Sequence, residues 1–421
     1  VVVGRLDIMP TASRGRQPII SVGELRIGGE EKRAISEVLG SGRISEGEKT
    51  LQFEQEWATY IGTKYSVALN SGTSALIAGL LALRYHPDIP IEPGSRIITT
   101  PLTYIATSNA CVLAGFEPVY VDIDEKSFCI TPENIVEFLE SVDDPSGYSA
   151  ILPVHLMGYP CDMDAINKIA REHDFRVIED SAQAHGSIYK NGVRTGSLSD
   201  FSAFSFYIAH NVQAGELGAV NTNDIEIFRL IKKIKANGRI CDCRVCTRKT
   251  TGCPKMKGNN DESDVDPRFT HELIGYNFKT MEFQTVLASV QLKKIDRIIK
   301  KRQENVRYLN DGLESVSDVL QLPRFDRRVS YLAYPLVIRD RKKISRKKIR
   351  IALEKKGIET RPLFGCIPTQ QPAYSHLRQE YRDRLPVAEY VGSNGFYIGC
   401  HQYLDQEDLD YVISAFKEII R

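Results

Sequence analysis

Apolar residues along this chain recur with two different periods, and the alternation between them predicts the architecture. Short β-branched and aromatic runs read as buried strands: YSVALN from Tyr65, RIITTP from Arg96, EPVYVDID from Glu117, SAILPVHL from Ser149, RVIED from Arg176 and DFSAFSFY from Asp200. Between them lie amphipathic helical stretches. In 163–173, for example, Met163, Ile166, Ile169 and Ala170 share one face and Asp162 stands at the N-cap position. This alternation from Tyr65 to about Asn223 predicts a mostly parallel sheet covered by helices, an α/β fold. From Met281 to Val316 the helical period is sustained, which predicts a long spine leading into a second, smaller unit. The expected organisation is a tail over 1–17, a large domain over 18–285 with a cysteine loop inserted at 241–253, and a small C-terminal α+β domain over 286–421.

Composition narrows the partners. The 421 residues are 42% hydrophobic and 26% charged, as in ordinary soluble domains. With 55 Lys and Arg against 54 Asp and Glu, there is no global field to recruit nucleic acid or an anionic membrane, so a small-molecule partner is favoured. No apolar run reaches the roughly 18–20 residues of a bilayer span, and the first residues lack a signal-peptide pattern. The expectation is a cytoplasmic protein. The basic stretch Arg339–Arg350 reads as a solvated helix face, with an acidic protein partner as the lesser alternative.

Of nine cysteines, Cys111, Cys129, Cys161, Cys366 and Cys400 are scattered and read as buried small hydrophobes. The other four, Cys241, Cys243, Cys246 and Cys253, are spaced C-x-C-x2-C-x6-C. Four thiolates in one loop suit an iron–sulfur cluster or a tetrahedral zinc.

Three segments carry further chemistry. In NSGTSAL, Asn70–Leu76, Gly72 permits a tight turn between a strand and a helix, and the amides of Thr73 and Ser74 project from the helix N-terminus as a phosphate cradle. Asp180 ends the strand RVIED and so places a carboxylate at the carboxyl edge of a parallel sheet, where ligands of such sheets bind. A buried anion there calls for a cation, and a protonated pyridine nitrogen would serve. The segment SFYIAHNVQAGELGAV, Ser205–Val220, runs from a strand end through a glycine-containing turn into another strand.

These three segments, with PLTYIATSNA (Pro101–Ala110), EDSAQAHGS (Glu179–Ser187), GYNFKTMEFQ (Gly275–Gln284) and GIETRPLF (Gly357–Phe364), resemble the sugar aminotransferase family of pyridoxal-phosphate enzymes. The resemblance covers about Pro18–Arg421. It implies a fold-type I aminotransferase architecture with a seven-stranded mixed sheet, working as a homodimer with the active site at the interface. It also assigns residues. Thr73 and Ser74 match the amides that hold the cofactor phosphate, and Ser205 matches the hydroxyl that joins them. Tyr104 matches the aromatic side chain stacked on the pyridine ring, Asp180 the partner of the ring nitrogen and Gln183 the side chain beside the ring. Asn277 matches the residue that reaches the phosphate from the neighbouring subunit.

One position departs from the family pattern. Where the family has the lysine that binds the cofactor covalently, this chain has His210. An imidazole forms no stable imine with the cofactor aldehyde, so the cofactor must be held by non-covalent contacts, while a base that titrates near neutrality remains. Histidine in a Ser-Phe-Tyr-x-Ala-His pattern is similar to the sugar 3-dehydratase branch, which acts on GDP- or CDP-linked 4-keto-6-deoxy sugars. GRICDC, Gly238–Cys243, resembles the start of the iron–sulfur segment in the CDP-sugar enzyme, although that enzyme takes a ligand from just after the aspartate and this chain has Ser181 and Ala182 there.

The resemblance implies an enzyme that uses pyridoxamine phosphate (PMP) or pyridoxal phosphate (PLP) to remove the C3 hydroxyl of a 4-keto-6-deoxy nucleotide sugar or similar keto-sugar. A two-iron or four-iron cluster on the four cysteines would draw electrons from a separate reductase, docked at Arg339–Arg350 or Lys232–Arg239. The alternatives are a glutamate-coupled dehydratase with structural zinc and a non-catalytic homologue. Among the remaining histidines, His155, His185 and His401 are near enough in pattern to approach the site, and His185 reads as packing.

Overall fold

Each of the six apolar runs forms a strand in the computed structural model, which describes residues 19–241, 243, 252–253 and 266–421. In chain order the described elements begin with α1 (Gly29–Ser41), α2 (Glu48–Ile61), β1 (Tyr65–Leu69), α3 (Gly72–Arg84), β2 (Arg96–Thr99), α4 (Ala106–Ala114) and β3 (Glu117–Tyr120). They continue through α5 (Pro132–Glu140), β4 (Tyr148–Leu152), α6 (Met163–Glu172), β5 (Arg176–Asp180), β6 (Phe201–Ser205), β7 (Gly218–Thr222) and α7 (Ile225–Ile234). Then follow α8 (Glu282–Leu292), α9 (Ile295–Leu313), β8 (Leu320–Gln321), β9 (Tyr334–Ile338), α10 (Arg346–Lys355), β10 (Arg361–Pro362), α11 (Pro386–Asn394), β11 (Gly395–Ile398) and α12 (Gln406–Ile420).

The first seven strands make one sheet in the order β1-β7-β6-β5-β4-β2-β3. Strands β2 to β6 run parallel, and β7 is antiparallel to both β1 and β6. The parallel strands all end at one edge, so the turns that follow them gather there. The remaining four strands form a second, antiparallel sheet, β10-β11-β9-β8. One apolar cluster runs beneath both sheets, and a smaller one packs Phe53 and Trp57 of α2 against Phe204 and Phe206.

Local signals behave as their chemistry requires. Asp162 caps α6 by accepting from the Ala165 amide, and Met163, Ile166, Ile169 and Ala170 are all buried. The helical stretch after Met281 is two helices, broken at Lys293–Lys294, where the Lys294 ammonium sits 2.7 Å from both Glu30 and Glu31 at the start of α1. That ion-paired corner redirects the chain from the large sheet towards the second one. In the basic stretch, Ile349 and Leu353 of α10 face inward while Arg341, Lys342, Lys343, Lys347 and Lys348 are exposed, a solvated face.

Helix α3 is buried along nearly its whole length and lies against β6. The close approach depends on Gly79, since a Cβ there would stand 2.2 Å from the Phe201 ring. Gly79→Ala is therefore expected to destabilise the chain by about 1–3 kcal/mol, through overpacking. Adding Phe201→Leu should recover part of the loss. Denaturant titration of the three variants checks this, and a Gly79→Ala chain as stable as the parent would contradict the packing.

Candidate active site

The turns at the carboxyl edge of the large sheet bring the predicted residues together. Ser71 caps α3, with its hydroxyl accepting from the Ser74 amide at 3.1 Å and lying 2.9 Å from the Ser74 hydroxyl. The α3 N-terminus abuts the end of β6, where a Cβ on Gly72 would lie 2.5 Å from Cβ of Ser205. Only glycine lets the two turns close up, and the junction gathers the α3 N-terminus with the hydroxyl-bearing residues Ser71, Thr73, Ser74 and Ser205 into one rim. Asn277 reaches this rim indirectly. Its neighbour Phe278 accepts from the Asn70 amide at 2.9 Å, while Asn277 itself is exposed.

Asp180 lies next to Ala203 across the β5–β6 pairing, one strand over from the rim. Its side chain is buried, and its oxygens accept from the Thr107 hydroxyl at 2.7 Å and the Ala182 amide at 3.2 Å. No Lys or Arg among the described residues pairs with it. Burial pushes its pKa up, against the opposing pull of Thr107 and Ala182. Thr107 is tied to Thr103 at 2.8 Å and to the Tyr104 carbonyl at 3.2 Å, so the start of α4 is built around this carboxylate. Tyr104 leaves its ring 60% exposed, with Phe364 at 6.1 Å.

The adjacent Glu179 points to the other side and fixes the strand end. Its carboxylate accepts from His155, the Tyr189 hydroxyl and the amides of Gly196 and Leu198. Because Nδ1 of His155 accepts from the Cys161 amide, the proton must sit on Nε2, facing Glu179. These donors hold the Glu179 pKa down in spite of complete burial. Gln183 gives its carbonyl oxygen to the Met157 amide at 2.9 Å, and its amide nitrogen makes no hydrogen bond among the described residues.

His210 sits on the turn after β6, buried, with its amide bonded to the Tyr207 carbonyl. Its ring is 5.7 Å from that of His185, and its Nδ1 is buried without a hydrogen bond. Burial and then the Arg302 guanidinium lower its pKa to about 3, opposed by the Tyr207 carbonyl, so the ring is a neutral imidazole. His185 accepts from the Val212 amide and packs edge-on against Trp57, in the packing role read for it. His401 lies 3.3 Å from the Ser21 hydroxyl.

The profile of the DegT/DnrJ/EryC1/StrS aminotransferase family matches residues 25–417. The chain belongs to that family. Among the relatives, dTDP-4-dehydro-2,6-dideoxy-D-glucose 3-dehydratase of Saccharopolyspora spinosa is 30% identical over 98% of this chain and 88% of its own length. GDP-perosamine synthase of Caulobacter vibrioides is also 30% identical, over 96% of this chain and 99% of its own. The solved structure of Escherichia coli GDP-4-keto-6-deoxy-D-mannose 3-dehydratase with bound hydrated PLP superposes with a TM-score of 0.80 at 26% identity, covering 96% of this chain and 99% of that one. The family member described here therefore has the fold-type I aminotransferase architecture.

The cysteine loop grows from a ribbon that also carries Asn277. Ala236 pairs with Asn277 and Arg239 with His271, and Cys241 follows directly. Cys241, Cys243 and Cys253 are half-buried; Cys246 lies outside the described residues. Among the described residues no group of three or more metal-ligating side chains is gathered. The proposed docking stretch Lys232–Arg239 is not a free basic surface: Lys232 and Lys235 are buried, Lys235 bonds Glu46 and the Ala68 carbonyl, and Lys233 pairs with Glu272.

The buried Asp180 carboxylate yields a prediction. Its raised pKa means that the folded chain holds this proton more tightly than the unfolded one, so its contribution to stability falls as pH rises through the carboxylate range. Asp180→Asn, which keeps an acceptor for the Ala182 amide, should raise the melting temperature of the cofactor-free chain at neutral pH, and the difference should shrink in acid. A lower melting temperature at neutral pH would contradict the assignment of an uncompensated charge.

Proposed function

We propose that the chain is a PMP/PLP-dependent 3-dehydratase acting on a 4-keto-6-deoxy nucleotide sugar, working as a homodimer. The observation that carries this reading is His210: a buried, neutral imidazole stands where the family places its cofactor-binding lysine, in a site whose other features suit the cofactor. The residues fit the group. The close junction at Gly72 and Ser205 brings a helix N-terminus and hydroxyls together for a phosphate, Asp180 is an anion in need of a cation, and the exposed Tyr104 ring could cover an aromatic face. The relatives include both 3-dehydratases and a perosamine synthase, and histidine in place of lysine favours the former.

When bound in its amine form, the cofactor would supply a reactive amino group and an electron-accepting ring. In this reading Thr73, Ser74 and Ser205 hold the phosphate, with Asn277 of the partner subunit beside them. Asp180 keeps the ring nitrogen protonated, Thr107 and Ala182 orient Asp180, and Gln183 offers its free amide N–H groups beside the ring. Tyr104 excludes water from one ring face. His210, neutral through the working pH range, removes the proton from C4′ and then carries it towards the departing C3 hydroxyl. Without a lysine there is no competing covalent tether, but each elimination would consume the amine form, so electrons from a reductant or an amino group from a donor must restore it before the next keto-sugar.

The four cysteines, Cys241, Cys243, Cys246 and Cys253, would hold an iron–sulfur cluster, whose thiolate ligand set they match, and the cluster would supply single electrons from a reductase. The exposed cations of Arg339–Arg350 are the surface suited to an acidic donor protein. If the loop holds zinc instead, the enzyme would regenerate its amine cofactor from glutamate.

His210→Asn should cost at least about 100-fold in the rate at which a 4-keto-6-deoxy nucleotide sugar loses its C3 hydroxyl, read by mass spectrometry of the products with PMP and a reductant. His210→Lys should divert the product towards the amino sugar. Full-rate dehydration by either variant would remove His210 from the mechanism. Cys243→Ser should bleach a brown, dithionite-sensitive chromophore and leave cofactor binding intact. A colourless parent protein carrying zinc would replace the redox reading with the glutamate-coupled one.

A further inference from the structure

The most unusual charge in the molecule is Arg302 of α9. It is fully buried, yet no carboxylate among the described residues pairs with it. One terminal nitrogen donates to the carbonyls of Leu332 at 2.7 Å and Tyr331 at 3.2 Å, Nε reaches the Gln402 side chain at 3.3 Å, and the other terminal nitrogen has no hydrogen bond. An isolated buried cation is costly, and a long apolar residue would pack the same face of α9 without that cost. Its retention asks for a use.

The loop it grips supplies one. Tyr331 adopts a left-handed backbone, φ 46°, an unfavourable conformation for a bulky residue, and Arg302 binds the carbonyl of that residue. The neighbouring Ser330 carbonyl accepts from the Asn211 side chain at 3.0 Å, and Asn211 directly follows His210. Ser330 is also locked to Ser187 on the turn that carries His185. The guanidinium thus braces the loop on which the His210 turn rests.

We propose that Arg302 is a positioning residue for His210: an uncompensated buried cation, anchored to the 330–332 loop that docks Asn211, which fixes the imidazole and keeps it unprotonated. The inference rests on the reading of His210 as the base. His185 from the turn after β5 and Tyr207 from its own turn face the His210 ring, the Arg302 charge on α9 adds to burial in disfavouring its protonated form, and the segment Ser21–Gly23, packed against Ala209, carries no charge. Of these only Arg302 bears a permanent charge, and it acts in the same direction as burial on His185, His210 and His401 alike.

The test is a titration of histidine ring resonances in the PMP-loaded protein over about pH 2–7, a range that brackets the parent midpoint of about 3, with the His210 signal identified by its absence from His210→Gln. In Arg302→Met the His210 midpoint should rise by about one pH unit or more, with the acid limb of the pH–rate profile moving by the same amount. Arg302→Lys, which keeps the charge, should titrate like the parent even if its rate falls. An unchanged midpoint in a folded Arg302→Met protein overturns the proposal, as does a raised midpoint in Arg302→Lys, which also serves if the methionine variant does not fold. The titration needs no turnover, so loss of the base assignment through an active His210→Asn enzyme is distinguishable from failure of the charge effect.

Discussion

A carboxylate that no lysine or arginine among the described residues pairs with governs the architecture of the site. Asp180 is carried to the sheet edge by a parallel strand, buried there, and given only a hydroxyl and an amide as partners. Around it the chain arranges rigid support: Glu179 is clamped from behind by four donors, and α4 begins at the threonine that bonds the carboxylate. A site of this kind is less stable than an apolar one would be, and that deficit is what a bound cationic ring would remove. On the proposed reading, cofactor affinity would follow from this electrostatic gap and need no covalent bond to the chain.

The same logic runs through the second buried charge. Arg302 and Asp180 are opposite in sign and serve different elements, one bracing the loop beneath the His210 turn and the other awaiting a cation at the edge of the large sheet. The His210 imidazole, for its part, is kept neutral by burial and by the Arg302 charge. A lysine at that position would meet the same burial and the same neighbouring guanidinium, both of which oppose an ammonium ion. The environment therefore suits a neutral base, and replacing the tether with histidine agrees with the charges around it.

Much of this was legible in the residues. Asp180 is readable because an acidic residue ending a buried β-run must lie at the sheet edge, and Gly72 because a glycine between strand and helix marks a tight junction. His210 stands out only against the family pattern. Other features were hidden for physical reasons. Thr107 is one of several hydroxyls in TYIATSNA, and its bond to Asp180 spans 73 residues. A search for donors able to satisfy a buried Asp180 would have drawn attention to that segment. Arg302 lies in KKRQENVR among more exposed cations, and only its helical phase, in step with Ile295, Ile298, Val306 and Leu309, marks it as the buried one. The charges of Lys232–Arg239 suggested a docking surface, whereas tertiary contacts with Glu46, Glu272 and the Ala68 carbonyl consume them. The break between α8 and α9 falls at Lys293–Lys294, where Lys294 pairs with Glu30 and Glu31 of α1, a contact that no local breaker in the sequence announces.

The account stands on a B6 cofactor held without a covalent bond. Borohydride reduction of the PLP-loaded protein, followed by intact-mass measurement under denaturing conditions, tests it most directly. The polypeptide mass should be unchanged, with all of the cofactor released. A mass increase corresponding to a reduced pyridoxyl adduct on the chain would contradict the account.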